Sequence, residues 1–479
     1  MTSIQFPTKL FIDSQPRAAS DGRMLPLINP ATEEVLTEVA SAGVRDVDAA
    51  AQGAQKAFEG GWRDYTPGKR TEVMFQIARV LREHAEELAQ LESLSIGKPI
   101  ADARDEIGLG ARTFEYYAGA IGKFFGQTVP VARGGFDFTI RQPMGVVAAI
   151  VPWNFPFPIA AWKVAPALAA GNCVVLKPAR QSPLTALRLG ELAAKAGLPA
   201  GVLQVLAGSG EEMGDALVKH PLVRKISFTG STAVGSRIME MAARDIKRVS
   251  LELGGKSPNI IFADADLEKA AATSPMSVFA NTGQDCCARS RVFVERPVYE
   301  KFIELFVQAT DKIIVGDPAR PETQVGPLVS AAQRESAESY LPTAKTPRLK
   351  LLRGGDRPAG KGYYLNPAVV VGCETSDRMW REEIFGPVVC IRPFDHEEEM
   401  LAEVNASPYG LSGSLWTNDL KRALRVARRV ESGVLSINSH SSVHLEAPFG
   451  GFKQSGLGRD LGLAAMEGCT EVKNIYIAD

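Results

Sequence analysis

Apolar residues recur at helical spacing over residues 46–58 and 68–95. In the second stretch Val73, Ile77, Val80, Leu81 and Leu88 fall on one stripe, which Gly97-Lys98-Pro99 brings to a stop. The pattern then shortens to apolar runs that predict strands at Phe136 to Arg141 and Val146 to Val151. Helix and strand patterns alternate from there. Helices are predicted at Ile159 to Ala170, Pro183 to Ala196, Glu211 to Val218 and Ala233 to Ala243. The strands between and after them are Cys173 to Lys177, Val202 to Leu206, Lys225 to Thr229 and Val249 to Leu253. Short buried strands separated by helices of this length predict parallel βαβ units.

The second half continues in the same style. Strands are predicted at Asn259 to Phe262, Arg291 to Val294, Val388 to Pro393, Ser412 to Trp416 and Gly433 to Ile437. Helices are predicted at Asp266 to Ala280 and Tyr299 to Ile314, and a loop region with one short helix at Gly316 to Gly360. Gly254-Gly255 makes a natural boundary between two α/β halves. No repeat of 20–50 residues is present.

Composition narrows the function classes. The chain has 479 residues, with 54 Lys and Arg against 55 Asp and Glu, and a net charge of -1. That balance excludes a polybasic nucleic-acid binder and an acidic disordered tail protein. The N-terminal stretch lacks the apolar core of a signal peptide, and the longest apolar run, Met144 to Pro152, is about half of a membrane span. Six cysteines, at 173, 286, 287, 373, 390 and 469, show no C-x-x-C pairing. A reduced cytoplasmic protein is expected, with no nucleic-acid or membrane partner.

The strongest chemical signal is Gly283-Gln284-Asp285-Cys286-Cys287, following an amphipathic helix. A cysteine in a polar loop is a candidate nucleophile, although free cysteines are commonly structural. Doubled cysteines also suit a metal, but no histidine or third cysteine lies nearby in sequence. A nucleophilic cysteine needs a base and an oxyanion donor. Glu252 closes an apolar strand before a glycine turn, where partial burial raises a carboxyl toward a useful base, although a capping or ion-paired glutamate fits too. Asn154, between prolines in Pro152-Trp153-Asn154-Phe155-Pro156, is a rigid amide suited to an oxyanion, or simply a turn residue.

Cofactor signals are weaker. Gly208-Ser209-Gly210 followed by Gly214 is one residue longer than the dinucleotide fingerprint. Phe228-Thr229-Gly230-Ser231 follows a strand and opens a helix whose first amides suit a pyrophosphate. Gly255-Lys256-Ser257 mimics the end of a P-loop, but Ser250 occupies the position of its first glycine, which excludes that site. His440 and His444 are four apart in a loop sequence, so no metal site is expected. Ala447 to Gly456 is glycine-rich and reads as a conformationally special loop.

Together these pieces resemble the aldehyde dehydrogenase superfamily, in its NAD(P)-dependent, non-phosphorylating, hydrolytic branch. PWNFP, LKPA, FTGS, LELGGKSPNIIF, GQDCC, EEIFGPV and PFGGFKQSG stand in the family's order, and the similarity runs from about residue 10 to the end. The resemblance implies Cys286 as nucleophile, Asn154 and the Cys286 backbone N–H as oxyanion donors, and Glu252 as the base that activates water against a thioester. Lys163 and Asp460 match proton-relay positions, where the family more usually has Glu in place of Asp460. Ile150, Trp153, Lys177, Gly210, Gly214, Ser231, Glu383 and Phe385 match cofactor positions. NAD is the implied cofactor. Arg180 stands where NAD-preferring members carry Glu, and a cation there removes repulsion against a 2′-phosphate, so NADP acceptance is expected.

The implied substrate wall is Phe155, Trp162, Asp285, His440, Ser441 and Val443. Asp285 makes a cationic aldehyde such as 4-aminobutanal one expectation and a generalist enzyme the other. CoA-acylating relatives typically lack a carboxylate at the position of Glu252, and a non-catalytic scaffold would have replaced Cys286, Glu252 or Asn154. The implied fold is α/β: a Rossmann-like cofactor domain over 1–120 and 143–254 and an α/β catalytic domain over 255–446. A small β oligomerisation element combines 121–142 with 447–479. Its tail strand, Glu471 to Ile477, implies a homodimer or homotetramer.

Overall fold

Runs of Val, Ile and Ala with no polar face are stable only when covered on both sides. Val146–Ile150 and Cys173–Lys177 accordingly lie in the middle of a sheet. The computed structural model describes residues 4–343 and 346–478. Positions 1–3 and 479, at the ends of the expected segments, and 344–345, in the expected loop region, lie outside the described residues.

An eight-stranded sheet runs in the order Gln15–Arg17, Leu10–Ile12, Leu203–Val205, Cys173–Lys177, Val146–Ile150, Val223–Thr229, Arg248–Glu252, Gly456–Leu457. The strands from Leu203–Val205 to Arg248–Glu252 are all parallel. From Val146–Ile150 the chain winds outward on one side, then returns to add Val223–Thr229 on the other. Strand order therefore reverses between these two neighbours, and the crevice beyond their carboxyl ends is where a doubly wound sheet receives its ligand.

A second sheet of seven strands runs Lys350–Arg353, Ala368–Val371, Val388–Phe394, Arg291–Glu295, Pro258–Ile261, Ser414–Trp416, Ser436–Ile437, parallel except at its first pair. Its alternate residues feed two separate cores. Ile260 and Phe293 pack with Trp380 and Met400 on one face, and Ile261, Val292 and Val294 pack with Phe302 and Phe306 on the other. A third, antiparallel sheet pairs Thr470–Ile477 with Phe136–Pro143 over eight register positions and adds Thr128–Val129. The C-terminal segment also contributes Gly456–Leu457 to the first sheet and pairs Phe452–Lys453 with Tyr409–Gly410.

Several elements depart from the sequence expectation. The helix expected over 68–95 is two, Pro67–Glu83 and Ala85–Ile96, hinged at His84. A 22-residue helix, Ile100–Ile121, comes next, where none was expected. Gly108, Gly110 and Gly119 disguise it, and at least Gly110 has a packing reason: a Cβ there would meet the Phe157 ring at 2.4 Å. The helix expected over 266–280 is broken by Pro275 into Leu267–Thr273 and Met276–Phe279. The hairpin Met24–Asn29 with Glu34–Ala40 and the strand Ala368–Val371 had no expectation, and the strand expected over 433–437 shrinks to Ser436–Ile437. Among the described residues no helix is long and apolar enough to cross a membrane.

Candidate active site

Glu252 is the last residue of its strand and pairs in register with Thr229, so both stand at the carboxyl edge of the first sheet. Glu252 is 4% exposed, and among the described residues neither carboxylate oxygen has a hydrogen-bond partner. Burial pushes its carboxyl well above the ordinary range. Asp460 adds to the rise, while Lys163 and Arg459 oppose it. Gly450 gives the carboxylate its room, since a Cβ there would lie 2.6 Å from Oε1.

The loop carrying Cys286 begins with three successive left-handed residues, Asn281 at φ 49°, Thr282 at 59° and Gly283 at 69°. Non-glycine residues hold that conformation only where their surroundings insist on it. The Gln284 side chain accepts from Val329 N at 2.9 Å and donates to Asn281 O at 3.1 Å, and Thr282 Oγ1 donates to Gly326 O at 2.9 Å. The same amides tie this loop to the Asn154 loop. Asn154 Nδ2 donates to Gln284 O at 3.0 Å, and Asn281 Nδ2 donates to Asn154 O at 2.8 Å. The Asn154 amide and the Cys286 loop thus share anchors. Gly255 lets the backbone come close, because a Cβ there would sit 2.3 Å from Cys286 O. A hydrogen bond with the Cys287 thiol, followed by burial, holds the Cys286 thiol well above its ordinary pKa.

Two cavities meet at this point. The first, about 310 Å³, is walled by Trp153, Asn154, Ser231, Glu383 and Phe385. The second, about 250 Å³, is walled by Phe155, Trp162, Leu411, Val443, Phe449 and Asp460. Cys286, Glu252, Leu253 and Thr229 face both. The nucleophile and base candidates therefore sit at the junction of a crevice of mixed polar and apolar lining at the sheet's switch point and a mainly apolar pocket.

Of the expected cofactor residues, Trp153, Ser231, Glu383 and Phe385 line the first cavity. Trp153 and Phe385 meet edge to face at 5.3 Å between ring centres. Ser231, which accepts from Val234 N at 3.5 Å and so caps the helix Thr232–Ala243, borders the crevice together with Gly230. Glu383 Oε1 accepts from Gly255 N at 3.0 Å, and burial pushes its carboxyl up to about 7. Ile150 and Lys177 pair in register one and two strands from Thr229, outside this cavity. Gly214 packs against Lys177, whose burial lowers it to about 8. Gly210 begins the neighbouring helix. Arg180 is exposed and lines a separate 380 Å³ cavity with Ser330 and Tyr363.

Of the expected substrate wall, Phe155, Trp162, Asp285 and Val443 line the second cavity. His440 does not, and neither does Ser441; Ser442 takes that place. The His440 ring turns toward the Ser414 and Ser274 hydroxyls at 3.0 and 3.4 Å and packs on Trp416, and burial pushes it down to about 3. It lines a third, outer cavity of about 440 Å³ that shares Asp285 and Ser442 with the second. Lys163 Nζ donates to Asp460 Oδ2 at 2.8 Å and to Ser227 Oγ at 3.2 Å, all three buried.

A sequence model of the Aldehyde dehydrogenase family matches residues 17–475. The chain belongs to the aldehyde dehydrogenase family. A phenylacetaldehyde dehydrogenase of Pseudomonas fluorescens is 42% identical over 99% of this chain and 97% of its own. Among solved structures, the NAD+ complex of an aldehyde dehydrogenase from Bacillus cereus has a TM-score of 0.96 at 42% identity, covering 98% of this chain and 96% of the other. A P. syringae indole-3-acetaldehyde dehydrogenase in complex with NAD+ and IAA has a TM-score of 0.97 at 40% identity, covering 99% and 97%.

In this aldehyde dehydrogenase the sequence reading missed Lys98 and Glu106. Lys98, fully buried, donates to Asn154 O at 2.9 Å and to the Glu106 carboxylate, and its ammonium lies 4.2 Å from the Phe155 ring centre. Glu106 borders the second cavity, and burial pushes it up to about 8. The only sequence signal was the helix stop Gly97-Lys98-Pro99. A lysine in such a turn has no reason to be buried until its partners are known.

Proposed function

We propose that this family member oxidises an aldehyde with an apolar, aryl-sized body to its carboxylic acid, with NAD as electron acceptor. The observation that carries the reading is the position of Cys286 and Glu252 at the junction of the two cavities. A reaction between two bound molecules needs its nucleophile and base where both can reach them.

The residues of the first cavity suit a dinucleotide. An aromatic pair, the Ser231 end of a twelve-residue helix and the Glu383 carboxyl offer stacking, anion and ribose contacts in one crevice at the switch point. Trp153, Ser231, Glu383 and Phe385 would hold it. When bound it supplies the acceptor for the two electrons that the substrate carbon loses. The chain's own groups do the rest. The Cys286 thiol gives up its proton to solvent in the cavity, and its sulfur adds to the aldehyde carbon. Asn154 Nδ2, which spends one N–H on Gln284 O, offers its second to the oxyanion together with the Cys286 backbone N–H. After oxidation leaves a thioester on Cys286, Glu252 takes a proton from a water that attacks it, and the acid departs with the thiol regenerated. The buried Asp460–Lys163 pair beside Glu252 is the proposed route by which that proton leaves.

Nine apolar or aromatic side chains, among them Leu109, Ile159, Trp162 and Phe449, border the second cavity, which supports a neutral apolar substrate. The aminoaldehyde reading keeps one observation, the Asp285 carboxyl on the same wall. However, its Oδ1 already accepts from Cys287 N at 2.8 Å, and Glu106 is engaged by Lys98. The test is reduced-cofactor formation with phenylacetaldehyde against 4-aminobutanal. A higher kcat/KM for the amine would overturn the apolar reading, and no turnover with either would overturn the activity.

Arg180, with no ion-pair partner among the described residues, supports acceptance of NADP as well. The outer strand Thr470–Ile477, with Val472 and Tyr476 exposed, supports a homo-oligomer built on that edge. Six free cysteines suit a reducing cytoplasm. For the domains, the reading stays with a cofactor unit over 1–120 and 143–254, a catalytic unit over 255–446 and a bridging element from 121–142 and 447–479.

A further inference from the structure

Beside the nucleophile stand two groups that the proposed reaction leaves unused, the Cys287 thiol and the Asp285 carboxyl. A carboxylate oxygen of Asp285 and the sulfurs of Cys286 and Cys287 all lie within 4.8 Å of one another. All three residues border the aldehyde cavity, and of the three only Cys286 also borders the dinucleotide cavity. Asp285 Oδ1 accepts from Cys287 N, which fixes the carboxyl beside the two sulfurs.

We propose that Asp285, Cys286 and Cys287 form an inhibitory site for a thiophilic divalent cation, Zn2+ being the one to which two thiolates and a carboxylate are best suited. Tetrahedral zinc with sulfur at about 2.3 Å and oxygen at about 2.1 Å places its ligand atoms roughly 3.6–3.8 Å apart, within the bound set by the structure. Binding forms two Zn–S bonds and one Zn–O bond and releases the two thiol protons to solvent. Nothing is oxidised or reduced. The fourth position opens into the cavity and takes water. This is a parked state of the enzyme and not a resident centre. The sulfur that would attack the aldehyde is held by the metal, so the inhibition rests on the proposed role of Cys286, whereas the binding itself does not.

Two features make the site particular to this arrangement. The ligands are consecutive in the chain, so no domain movement is needed to assemble them, and the strained turn from Asn281 to Gly283 fixes the backbone ahead of them. The ion also reaches them through the aldehyde pocket, so zinc competes with the aldehyde and leaves the dinucleotide cavity open.

The experiment uses the full chain, freed of metal by chelator and dialysed against ZnCl2. The wild type takes up one Zn2+ per chain, and zinc protects both Cys286 and Cys287 from iodoacetamide, read by peptide mass. Zinc inhibits turnover competitively against the aldehyde and non-competitively against the dinucleotide. C287S and D285N each remove one ligand while keeping the side chain's size, and Asn keeps an acceptor for Cys287 N. Loss even of a group that only orients a ligand costs metal affinity roughly 10–100-fold, so each variant weakens zinc by at least about tenfold, measured against its own uninhibited rate. Unchanged zinc affinity in either variant overturns the three-ligand site, as does alkylation at the same rate with and without zinc. If protection is seen while C286S still turns over aldehyde, the site stands and the nucleophile assignment fails.

Discussion

Replacing Glu252 with Gln keeps the shape of the side chain and removes only its ability to take a proton. The pocket tolerates the change sterically, because both carboxylate oxygens are already without partners and Gly450 leaves space beside Oε1. An amide left without a partner there costs stability on the order of 1–3 kcal/mol, offset by the removal of a buried acid. The chemical effect is larger. General-base catalysis contributes about 10²–10⁴-fold, or about 2.7–5.5 kcal/mol, and Glu252→Gln forfeits that in deacylation alone. Acylation at Cys286 remains, so rapid mixing gives a burst of one reduced cofactor per active site and then near-arrest. Intact mass shows the enzyme carrying the acyl group. The pH dependence has a definite sign. A base works when deprotonated, and burial raises Glu252, so in the wild type deacylation speeds up as pH rises through a value well above the ordinary glutamate range. That acid limb disappears from deacylation in the variant. A steady rate without burst, or an unchanged limb in single-turnover deacylation, would refute the assignment.

Other substitutions separate the remaining contributions. Gly197→Ala and Gly283→Ala both place a side chain at positive φ, 91° and 69°, for about 1–2 kcal/mol each, but only the second drives its Cβ to 2.2 Å from a backbone oxygen, Gly386 O. That clash adds about 1–3 kcal/mol, so Gly283→Ala melts below Gly197→Ala and loses activity; equal melting would mean the clash relaxes freely. Arg180→Glu lowers kcat/KM with NADP relative to NAD, and an unchanged ratio removes the phosphate argument. Cys286→Ser abolishes steady turnover with every aldehyde, and retained turnover would place the nucleophile elsewhere.

The sequence was most legible where local pattern and final environment coincide. The alternation from residue 146 to 253 gave the central strands to within a residue or two, because a fully buried strand needs a continuous apolar run whatever surrounds it. Glu252, Asn154 and Cys286 were named as candidates from breaks in the apolar pattern, and the structure brings all three to the border of one cavity. The features that stayed hidden depend on distant partners. The helix Ile100–Ile121 is justified by contacts across the fold, such as that between Gly110 and Phe157. His440 points away from the aldehyde pocket because its two ring nitrogens hydrogen-bond with hydroxyls 26 and 166 residues away. Lys98 reaches the Asn154 carbonyl only once the chain has folded back over 56 positions. The left-handed Asn281 and Thr282 carry no compositional signal, since any residue can be forced there by enough hydrogen bonds.

Those hydrogen bonds explain why pH can act on this site selectively. The donors and acceptors that hold residues 281–284, ahead of Cys286, are the side chains of Asn154, Asn281 and Gln284, the Thr282 hydroxyl and backbone groups, none of which titrates, whereas the Asp285 carboxyl accepts from Cys287 N just beyond them. Several groups that titrate around this segment are shifted by burial toward their neutral form: Glu252 and Asp285 upward, and Glu383 up to about 7. An apolar aldehyde therefore meets few strongly hydrated ions on entry, and the oxyanion forms against amides already in position. A frame built from amides keeps the geometry of residues 281–284 as pH changes, so a pH-dependent rate reports groups beyond that segment, Glu252 and the Cys286 thiol first among them. The two separate by step, because the thiol governs the burst and Glu252 governs the hydrolysis of the acyl-enzyme that the burst leaves behind.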